Sequence, residues 1–594
     1  MRFSILRNYY RDLRKLKKKL TFKDVTNRVE TLETAVFNEL FYPEKNEPFS
    51  LEVFHSSLVE ILNTVTTSHE NLYADEVKQL IQKLRLFGFY FASLDIRQDS
   101  RIHADVFQHI TSYPEIQKHV QNFPKNYASM SVAERVAVLP KLKGNVPYSI
   151  FEDVYTAQTL ESIHVMKEIQ KRNGEQGCHR YIISNCQTLE NILQLFAMFR
   201  MSGWESPTVD FIPLFETVDD LERAPEVMRN LFENSVYKAH LERRDNKQTI
   251  MLGFSDGTKD GGYFMANWSI YRAKESLSKL ASDMGLKVAF FDGRGGPPAR
   301  GGGNTHAFYA SLGDAIQADD IQLTIQGQTI SSNFGTLDSA QFNLEQLLSA
   351  GVLNQVFDRG SNELQGEDRE TMENLAQKSY EAYQAFKAHP KFIPYLERMS
   401  TLPYYAKTNI GSRPTKRGKA KQLEFSDLRA IPFVGSWSLL KQNVPGFYGV
   451  GTALKHIENE GTFEKARALY ENSKFFRTLI FNSMMSLTKS FFQLTAYMKD
   501  DEEFGAFWQI IYEEYELSKE MLLKVSGFSS LMENEPAGKA SIMIRDQIVQ
   551  PLLTIQQYAL IGIQQEKSQY KKQVLEKMIT RSLFGNINAS RNSA

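Results

Sequence analysis

The sequence has very little cysteine and no net charge, and both absences narrow the class of protein. Only Cys178 and Cys186 occur in 594 residues, too few for a disulfide framework or a four-cysteine zinc site. Lysine and arginine number 70 together, as do aspartate and glutamate, so the chain lacks the positive field of a typical nucleic-acid-binding protein. Two isolated thiols are typical of a reducing compartment, which favours a cytoplasmic protein.

Long apolar runs are also missing. No uninterrupted apolar stretch approaches the length of a membrane span, and residues 1–20 lack the apolar core of a secretory signal. The basic residues in this segment could indicate a nucleic acid or a membrane surface. However, Leu13, Leu16 and Leu20 fall on one side of a helix, so we interpret the basic residues as its solvated face. The sequence therefore predicts neither a nucleic-acid partner nor a membrane partner.

Apolar periodicity divides the chain into three predicted regions. Residues 1–85 and 451–594 show the three-and-four spacing of packed helices, whereas residues 86–450 alternate short apolar runs with helical segments. Seven of these runs are interpreted as parallel strands buried on both faces: FGFYFASLDIRQ, RYIISNC, VDFIPLFE, QTIMLGFSDG, KVAFFDGRGG, IQLTIQG and RAIPFVGSW. Polar residues follow several of them, which predicts a mainly helical α/β fold built on a (β/α)8 barrel with one strand missing.

The densest chemical signal is the glycine-rich segment Phe291–Gly303. Six glycines lie between residues 293 and 303, and they let the backbone approach a ligand closely. Arg294 and Arg300 supply forked donors for phosphate or carboxylate. The segment is neither a Walker loop nor a dinucleotide fingerprint. A flexible surface loop is the alternative, but arginines among glycines after a buried strand favour an anion-binding loop.

Two carboxylates follow neighbouring predicted strands. Glu216 ends VDFIPLFE, and Asp256 lies in GFSDGTKD, where Lys259 offers a point charge for a phosphate. Carboxylate oxygens suit Mg²⁺ or Mn²⁺. An Asp in such a segment is often a turn or cap residue instead. The carboxyl ends of adjacent parallel strands meet on one face, so we expect Glu216 and Asp256 to lie close together.

Further arginines extend the cationic set. Arg97 lies in LDIRQD at a predicted strand end, Arg413 in GSRPTKR, and Arg429 opens RAIPFVGSW. Charged residues in a buried strand are usually paired or bind something. For Arg97 the alternative to ligand binding is an ion pair with Asp95.

Together these motifs resemble those of the phosphoenolpyruvate carboxylase family, in the same order. LDIRQDSRIH resembles that family's LDIRQES-type segment, and RYIISN and IPLFETVDDLERAP resemble its next two strands. GFSDGTKDGG is similar to GYSDSGKDAG, and FDGRGGPPARGGGNTH to the FHGRGG…GRGG…TH loop. TIQGQTIS, NIGSRPTKR, DLRAIPFVGSW and the closing ASRNSA also match. The resemblance runs from about residue 80 to residue 594.

The resemblance implies a carbon–carbon lyase that converts phosphoenolpyruvate and bicarbonate to oxaloacetate and phosphate, an anaplerotic reaction. The glycine-rich loop would act as a lid that excludes water. The implied residue roles are Lys259 and Arg294 in catalysis, Arg97, Arg413 and Arg429 in substrate binding, and Glu216 and Asp256 as ligands of Mg²⁺ or Mn²⁺.

The family is also commonly inhibited by aspartate or malate at a separate site, and it implies a homotetramer. Four positions match the effector site: Arg300, Lys489 in LTKS, Arg545 in SIMIRD and Asn592 near the C-terminus. Composition alone favours the alternative that Lys489 and Arg545 are solvated helix-face residues.

The chain departs from the family pattern in several places. The family's Thr-Ala-His-Pro-Thr segment, which carries a proton-transfer histidine, is absent, and the resemblance places it upstream of Met1. We therefore expect a truncated or split enzyme without the first barrel strand, possessing little activity by itself. The alternative is a catalytically inactive remnant that binds effectors or partner chains. Asp292 replaces a histidine and adds negative charge beside the anion loop, Lys441 replaces an arginine, and Phe433 replaces a tryptophan.

Overall fold

A computed structural model describes residues 1–43, 49–317, 320–325, 328–352, 356, 363–405, 407, 425 and 428–590. Its helices are, in chain order, α1 Arg2–Lys19, α2 Lys23–Phe41, α3 Leu51–Ser68, α4 Ala74–Phe87, α5 Ser100–Ser112, α6 Ile116–His119, α7 Val132–Val138, α8 Val154–Asn173, α9 Leu189–Met201, α10 Val218–Glu233, α11 Ser235–Glu242, α12 Phe254–Gly261, α13 Tyr263–Asp283, α14 Thr305–Ala310, α15 Gln328–Phe334, α16 Leu337–Val352, α17 Gly366–Lys387, α18 Phe392–Met399, α19 Leu402–Tyr405, α20 Ala430–Leu439, α21 Val450–Asn459, α22 Phe463–Asn472, α23 Lys474–Thr488, α24 Gly505–Ser526, α25 Pro536–Gln565 and α26 Gln569–Ser590.

The strands are β1 Asp95–Asp99, β2 Val120–Gln121, β3 Lys143–Gly144, β4 Arg180–Ser184, β5 Asp210–Phe215, β6 Lys247–Leu252, β7 Lys287–Asp292 and β8 Ile321–Leu323. The chain forms two compact units. The first contains Met1–Ser184, Thr188–Ile212 and Ser235–Asp245, and the second contains Asn185–Gln187, Pro213–Asn234 and Asn246–Ala594. The predicted region boundaries near residues 85 and 450 stay a prediction.

The first unit opens with four amphipathic helices, α1 to α4. Leu13, Leu16 and Leu20 are buried, at 0 to 3% exposure, which confirms the predicted apolar side of α1. Ser50 caps α3 by accepting hydrogen bonds from the backbone N–H groups of residues 52 and 53, as serine commonly does at a helix start. Further along the chain, β1 pairs in parallel with β4, and the strand order in this unit is β1–β4–β5. Strands β2 and β3 form a separate antiparallel pair.

The second unit contains the order β5–β6–β7–β8, and all neighbouring strands are parallel. The register places Leu214 opposite Met251, and Phe290 opposite both Ile250 and Ile321. After its first residue, each of β5, β6 and β7 is buried along its whole length, as expected for strands covered on both faces. Six of the seven predicted runs therefore contain strands, and a mainly helical α/β fold is confirmed.

The seventh run, RAIPFVGSW, is a helix, so its prediction as a strand is wrong. It forms α20, with Arg429 at the N-cap position and Pro432 in the first turn, where proline is tolerated because its missing N–H would have no helical partner. The helix packs into an aromatic core with Phe433 and Trp437 fully buried. A helix that is buried on several sides has an apolar run like that of a buried strand, and periodicity cannot distinguish the two.

Among the residues that the structure describes, no helix is long and apolar enough to span a membrane. The core of the second unit instead holds aromatic side chains in close contact. The rings of Phe386 and Phe507 stack with centroids 5.2 Å apart, and Trp437 lies 6.0 Å from Tyr395. Such pairs contribute beyond their apolar area, and they fix α20 and hence the start of this helix at Arg429.

Candidate active site

The glycine-rich segment leaves the carboxyl end of β7 and folds back on itself before α14. Gly295 N–H donates to the carbonyl of Arg300 at 2.7 Å, and Gly302 N–H donates to that of Pro297 at 2.9 Å. A Cβ at position 302 would overlap the carbonyl of Gly296, so the glycine is required by proximity of backbone to backbone. Most of the segment is buried. This packing argues against the alternative of a flexible surface loop.

Arg294 is held inside this loop. Its side chain is buried, its Nε donates to the carbonyl of Gly301 at 2.6 Å, and its guanidinium lies 4.2 Å from the centre of the Phe308 ring. A guanidinium fixed by a carbonyl and an aromatic face has a defined direction. Arg294 can therefore present its remaining donors to an anion at little cost in side-chain entropy.

A cavity of about 280 Å³ lies beside the loop, and its lining includes Arg294, Lys489 and Arg545. Burial, followed by the nearby charges of Lys441 and Arg545, lowers the pKa of Lys489 to about 8. Lys441 itself donates to Asp546 at 2.6 Å. Three cationic side chains around one cavity make it suited to an anion with more than one negative charge.

Arg300 is not among the residues that line this cavity. It is buried, and its Nε donates to Ser255 Oγ at 3.3 Å. Burial lowers the pKa of its guanidinium to about 10, and the negative charge of Asp256 opposes that shift. The structure thus brings the predicted effector residues Lys489 and Arg545 together with Arg294, while Arg300 lies towards α12.

Glu216 and α12 are in close contact. Glu216 directly follows β5, is 2% exposed and accepts a hydrogen bond from the backbone N–H of Asn185 at 3.3 Å. A Cβ at Gly253 would lie 3.0 Å from the Cα of Glu216, and one at Gly257 would lie 3.5 Å from its carbonyl oxygen. Asp256 lies between these two glycines on the first turn of α12, so the structure brings both predicted carboxylates to the same strand ends.

The pair fits a magnesium-type site in its chemistry. Across the described part of the chain, no group of three or more His, Cys, Asp or Glu side chains is arranged to hold a metal. Magnesium, however, is usually bound through one or two carboxylates, with waters and substrate oxygens completing its shell. Glu216 and Asp256 are hard oxygen donors, so they could hold such an ion together with an oxygen-rich substrate.

Lys259 lies on the last turn of α12 and faces the segment that precedes α20. Its Nζ donates to the carbonyls of Leu428 at 2.7 Å and Phe425 at 3.2 Å, and it lies 4.6 Å from the centre of the Phe425 ring. Because Leu428 directly precedes Arg429, the fold brings these two predicted cationic residues to the same region. The side chain of Lys259 is buried, at 8% exposure.

The negative charge of Asp292 is compensated by a lysine that the sequence reasoning missed. Asp292 Oδ2 accepts from Lys274 Nζ at 2.8 Å and from the Tyr309 hydroxyl at 2.7 Å. Lys274 belongs to α13 and Tyr309 to α14, and no motif spacing links them to β7. The lysine Lys274 among the buried residues of α13 was the available signal.

The remaining predicted residues are placed as follows. In the first unit, Arg97 lies on β1, but Asp95 pairs with Arg180 of β4 at 2.7 Å, directly opposite it in the register. The described ion pair of Asp95 is with Arg180, and the alternative of an Asp95–Arg97 ion pair stays a prediction. Arg413 and Asn592 lie outside the described residues.

A parallel sheet with carboxylates and cations at its carboxyl ends defines an α/β protein equipped for a small anionic ligand. A family model for phosphoenolpyruvate carboxylase matches residues 5–590, so the match begins well before residue 80, where the motif resemblance starts. The chain belongs to the phosphoenolpyruvate carboxylase family.

Two curated relatives illustrate the similarity. The chain is 32% identical over 536 residues to a phosphoenolpyruvate carboxylase of Thermosynechococcus vestitus. That alignment covers 86% of this chain and 51% of the relative. It is 31% identical over 542 residues to a phosphoenolpyruvate carboxylase of Trichormus variabilis, and this alignment covers 83% of this chain and 52% of the relative. The chain therefore spans about half the length of these relatives.

Proposed function

We propose that this chain carries the carboxylase chemistry of its family and converts phosphoenolpyruvate and bicarbonate to oxaloacetate and phosphate. The observation that carries the proposal is the family match over residues 5–590. It is supported by the buried side chain of Arg294 in the glycine-rich loop. In this reaction, bicarbonate oxygen attacks the phosphoryl group, giving carboxyphosphate and the enolate of pyruvate. Carbon dioxide released from carboxyphosphate then forms the new carbon–carbon bond with the enolate, leaving phosphate.

The residues supply what this chemistry needs. Arg294 would hold the phosphoryl oxygens with its forked donors, while Lys259, Arg429, Arg413 and Arg97 would add positive charge for the remaining anionic groups. Glu216 and Asp256 would hold Mg²⁺ or Mn²⁺, which supplies additional positive charge that favours the enolate. The folded glycine-rich loop would keep water away from the reactive carboxyphosphate.

The same observations favour an enzyme over a catalytically inactive remnant. A remnant kept only for effector or partner binding does not require two carboxylates at adjacent strand ends. As further parts of the proposal, we infer a (β/α)8-type barrel arrangement of these strands, a homotetramer and a cytoplasmic location. The two thiols Cys178 and Cys186 are both free and buried, which agrees with a reducing compartment.

The proposal is tested with an assay that couples oxaloacetate to NADH oxidation through malate dehydrogenase. The chain is assayed alone and together with a separately expressed segment that bears the family's Thr-Ala-His-Pro-Thr motif, with and without Mg²⁺. Oxidation that requires phosphoenolpyruvate, bicarbonate and the metal supports the proposal. Folded protein that shows no such turnover in either arrangement would count against it.

We further propose that the cavity beside the loop binds a dicarboxylate inhibitor such as L-aspartate or L-malate. Lys489 and Arg545 line it, Arg300 belongs to the glycine-rich loop beside it, and Asn592 is the fourth residue that the family resemblance implies. A dicarboxylate needs cationic donors held apart at both ends, and the cavity offers them.

The affinity for L-malate is expected to fall about tenfold between pH 7 and pH 9 because Lys489 is the titrating group. Its lowered pKa of about 8 means that the ammonium is charged at pH 7 and mostly neutral at pH 9. Calorimetry at both pH values measures this, with Lys489→Met expected to remove the pH dependence and Lys499→Met, an exposed lysine, as the control. The proposed site is contradicted if L-malate does not bind, or if its affinity changes neither with pH nor in Lys489→Met.

A further inference from the structure

Asp292 is a buried carboxylate at the point where β7 becomes the glycine-rich loop. It is 1% exposed, and its Oδ2 accepts hydrogen bonds from two side chains of different helices. One donor is Lys274 of α13, at 2.8 Å, and the other is the hydroxyl of Tyr309 of α14, at 2.7 Å. A buried charge with so little solvent is retained only where it is paired and hydrogen-bonded.

The hydrogen bond between Asp292 and Tyr309 joins the two ends of the loop. Asp292 directly precedes Gly293, the first glycine, and α14 begins directly after the loop, at Thr305. A backbone bond secures the same end of β7, since Thr324 N–H donates to the carbonyl of Asp292 at 3.0 Å. The side-chain bond therefore ties the segment after the loop to the strand before it.

The same cluster reaches Arg294. The rings of Phe308 and Tyr309 lie 4.2 and 5.6 Å from the Arg294 guanidinium, and each lies 5.7 Å from the Lys274 ammonium. Two cations thus share the faces of two aromatic rings. Asp292 offsets their mutual repulsion on the Lys274 side, while Arg294 is held by the ring of Phe308, the carbonyl of Gly301 and a side-chain hydrogen bond with Tyr309.

We propose that Asp292, Lys274 and Tyr309 form a loop clamp that positions the Arg294 guanidinium for the phosphoryl group of the substrate. These three are positioning residues: they act through the loop and through Arg294. The part of the inference that concerns substrate rests on the proposed function, whereas the part that concerns the loop does not.

The choice of variants is limited by the two buried charges of the clamp, on Asp292 and Lys274. Removing Asp292 or Lys274 alone leaves the other charge buried without its partner, which commonly unfolds or destabilises a protein. Tyr309→Phe removes only the hydroxyl that ties the loop ends and keeps the ion pair and both rings. The double variant Lys274→Met/Asp292→Asn removes both charges and preserves side-chain volume. Tyr497→Phe is the matched control, because its hydroxyl donates to Gln557 at 3.0 Å, outside the clamp.

The test combines hydrogen–deuterium exchange of the peptide 293–304 with steady-state kinetics on the full chain. In Tyr309→Phe and in the double variant, loop amides should exchange about 3- to 10-fold faster, the effect of losing one hydrogen bond of ordinary strength. The KM for phosphoenolpyruvate should rise more than kcat falls, and Tyr497→Phe should change neither. Loop exchange at the wild-type rate in both folded variants would overturn the clamp. If the wild-type chain shows no carboxylase turnover either alone or with the supplied Thr-Ala-His-Pro-Thr segment, the proposed function fails, and loop exchange still decides the clamp.

Discussion

Replacing Arg294 with glutamine is expected to lower kcat/KM for phosphoenolpyruvate by about a thousandfold, the upper range for losing one preorganised electrostatic donor. Arg294 is buried and fixed by the Gly301 carbonyl at 2.6 Å, so the substrate meets a donor that needs no reorganisation. Glutamine keeps a polar side chain of moderate length and removes the charge and the fork. Initial rates in the malate dehydrogenase assay measure the effect.

Two further variants make this result specific. Arg294→Lys retains the charge and loses the fork, so an intermediate loss is expected if paired hydrogen bonds to the phosphoryl group matter. Arg272→Gln removes an arginine of α13 that pairs with Glu373 at 3.0 Å and should leave kcat/KM nearly unchanged. Because Arg294 also supports the loop, thermal unfolding is recorded in parallel. A folded Arg294→Gln enzyme with normal kcat/KM would show that the loop arginine has only a structural role.

Changing Asp256 to asparagine is expected to remove most of the activation by Mg²⁺ or Mn²⁺ while the fold stays intact. Even the loss of a residue that supports a metal ligand commonly costs about 10- to 100-fold in affinity, and a ligand should cost more. Asparagine preserves the shape of the partly exposed Asp256 side chain on the first turn of α12, so the difference lies in the charge. Titration of Mn²⁺ by electron paramagnetic resonance measures the affinity without depending on turnover.

Asp283→Asn provides the control, because Asp283 is an exposed residue that ends α13. It should bind Mn²⁺ like the unmodified chain. Normal Mn²⁺ affinity and normal metal activation in Asp256→Asn would assign Asp256 to the ordinary role of an acidic residue at a helix start.

Sequence reasoning succeeded where one local pattern has one structural meaning. Strands buried on both faces read as continuous apolar runs, and β5, β6 and β7 were found in this way. It failed at RAIPFVGSW, because burial on several sides hides helical periodicity. Its grouping of Arg300 with Lys489 and Arg545 stays a prediction, and it did not indicate that Arg294 lines a cavity together with those two residues. Which of two arginines in one loop faces a cavity depends on backbone turns that spacing does not encode.

For a related reason, ion-pair partners that lie far apart in the sequence could not be predicted. The pair Lys274–Asp292 joins a helix to the strand that follows it, and Asp95 pairs across strands with Arg180. Each partner is fixed by register and packing, which follow from the whole fold. The sequence could indicate that Asp95 and Asp292 needed partners, because buried or strand-borne charges are seldom alone, but it did not name them.

The hydrogen bonds from Lys259 to two backbone carbonyls affect any ligand affinity that is measured at this site. Its ammonium already donates to Leu428 and Phe425, so under its proposed role at least one of those bonds must open before it can give a phosphate more than one of its three N–H donors. The apparent dissociation constant then equals the intrinsic one divided by the fraction of molecules with the lysine released. The occupancy of the site thus depends on Phe425 and Leu428, before α20, as well as on the groups that contact the ligand. Substitutions at these two residues would shift the apparent dissociation constant without altering any direct contact with the ligand.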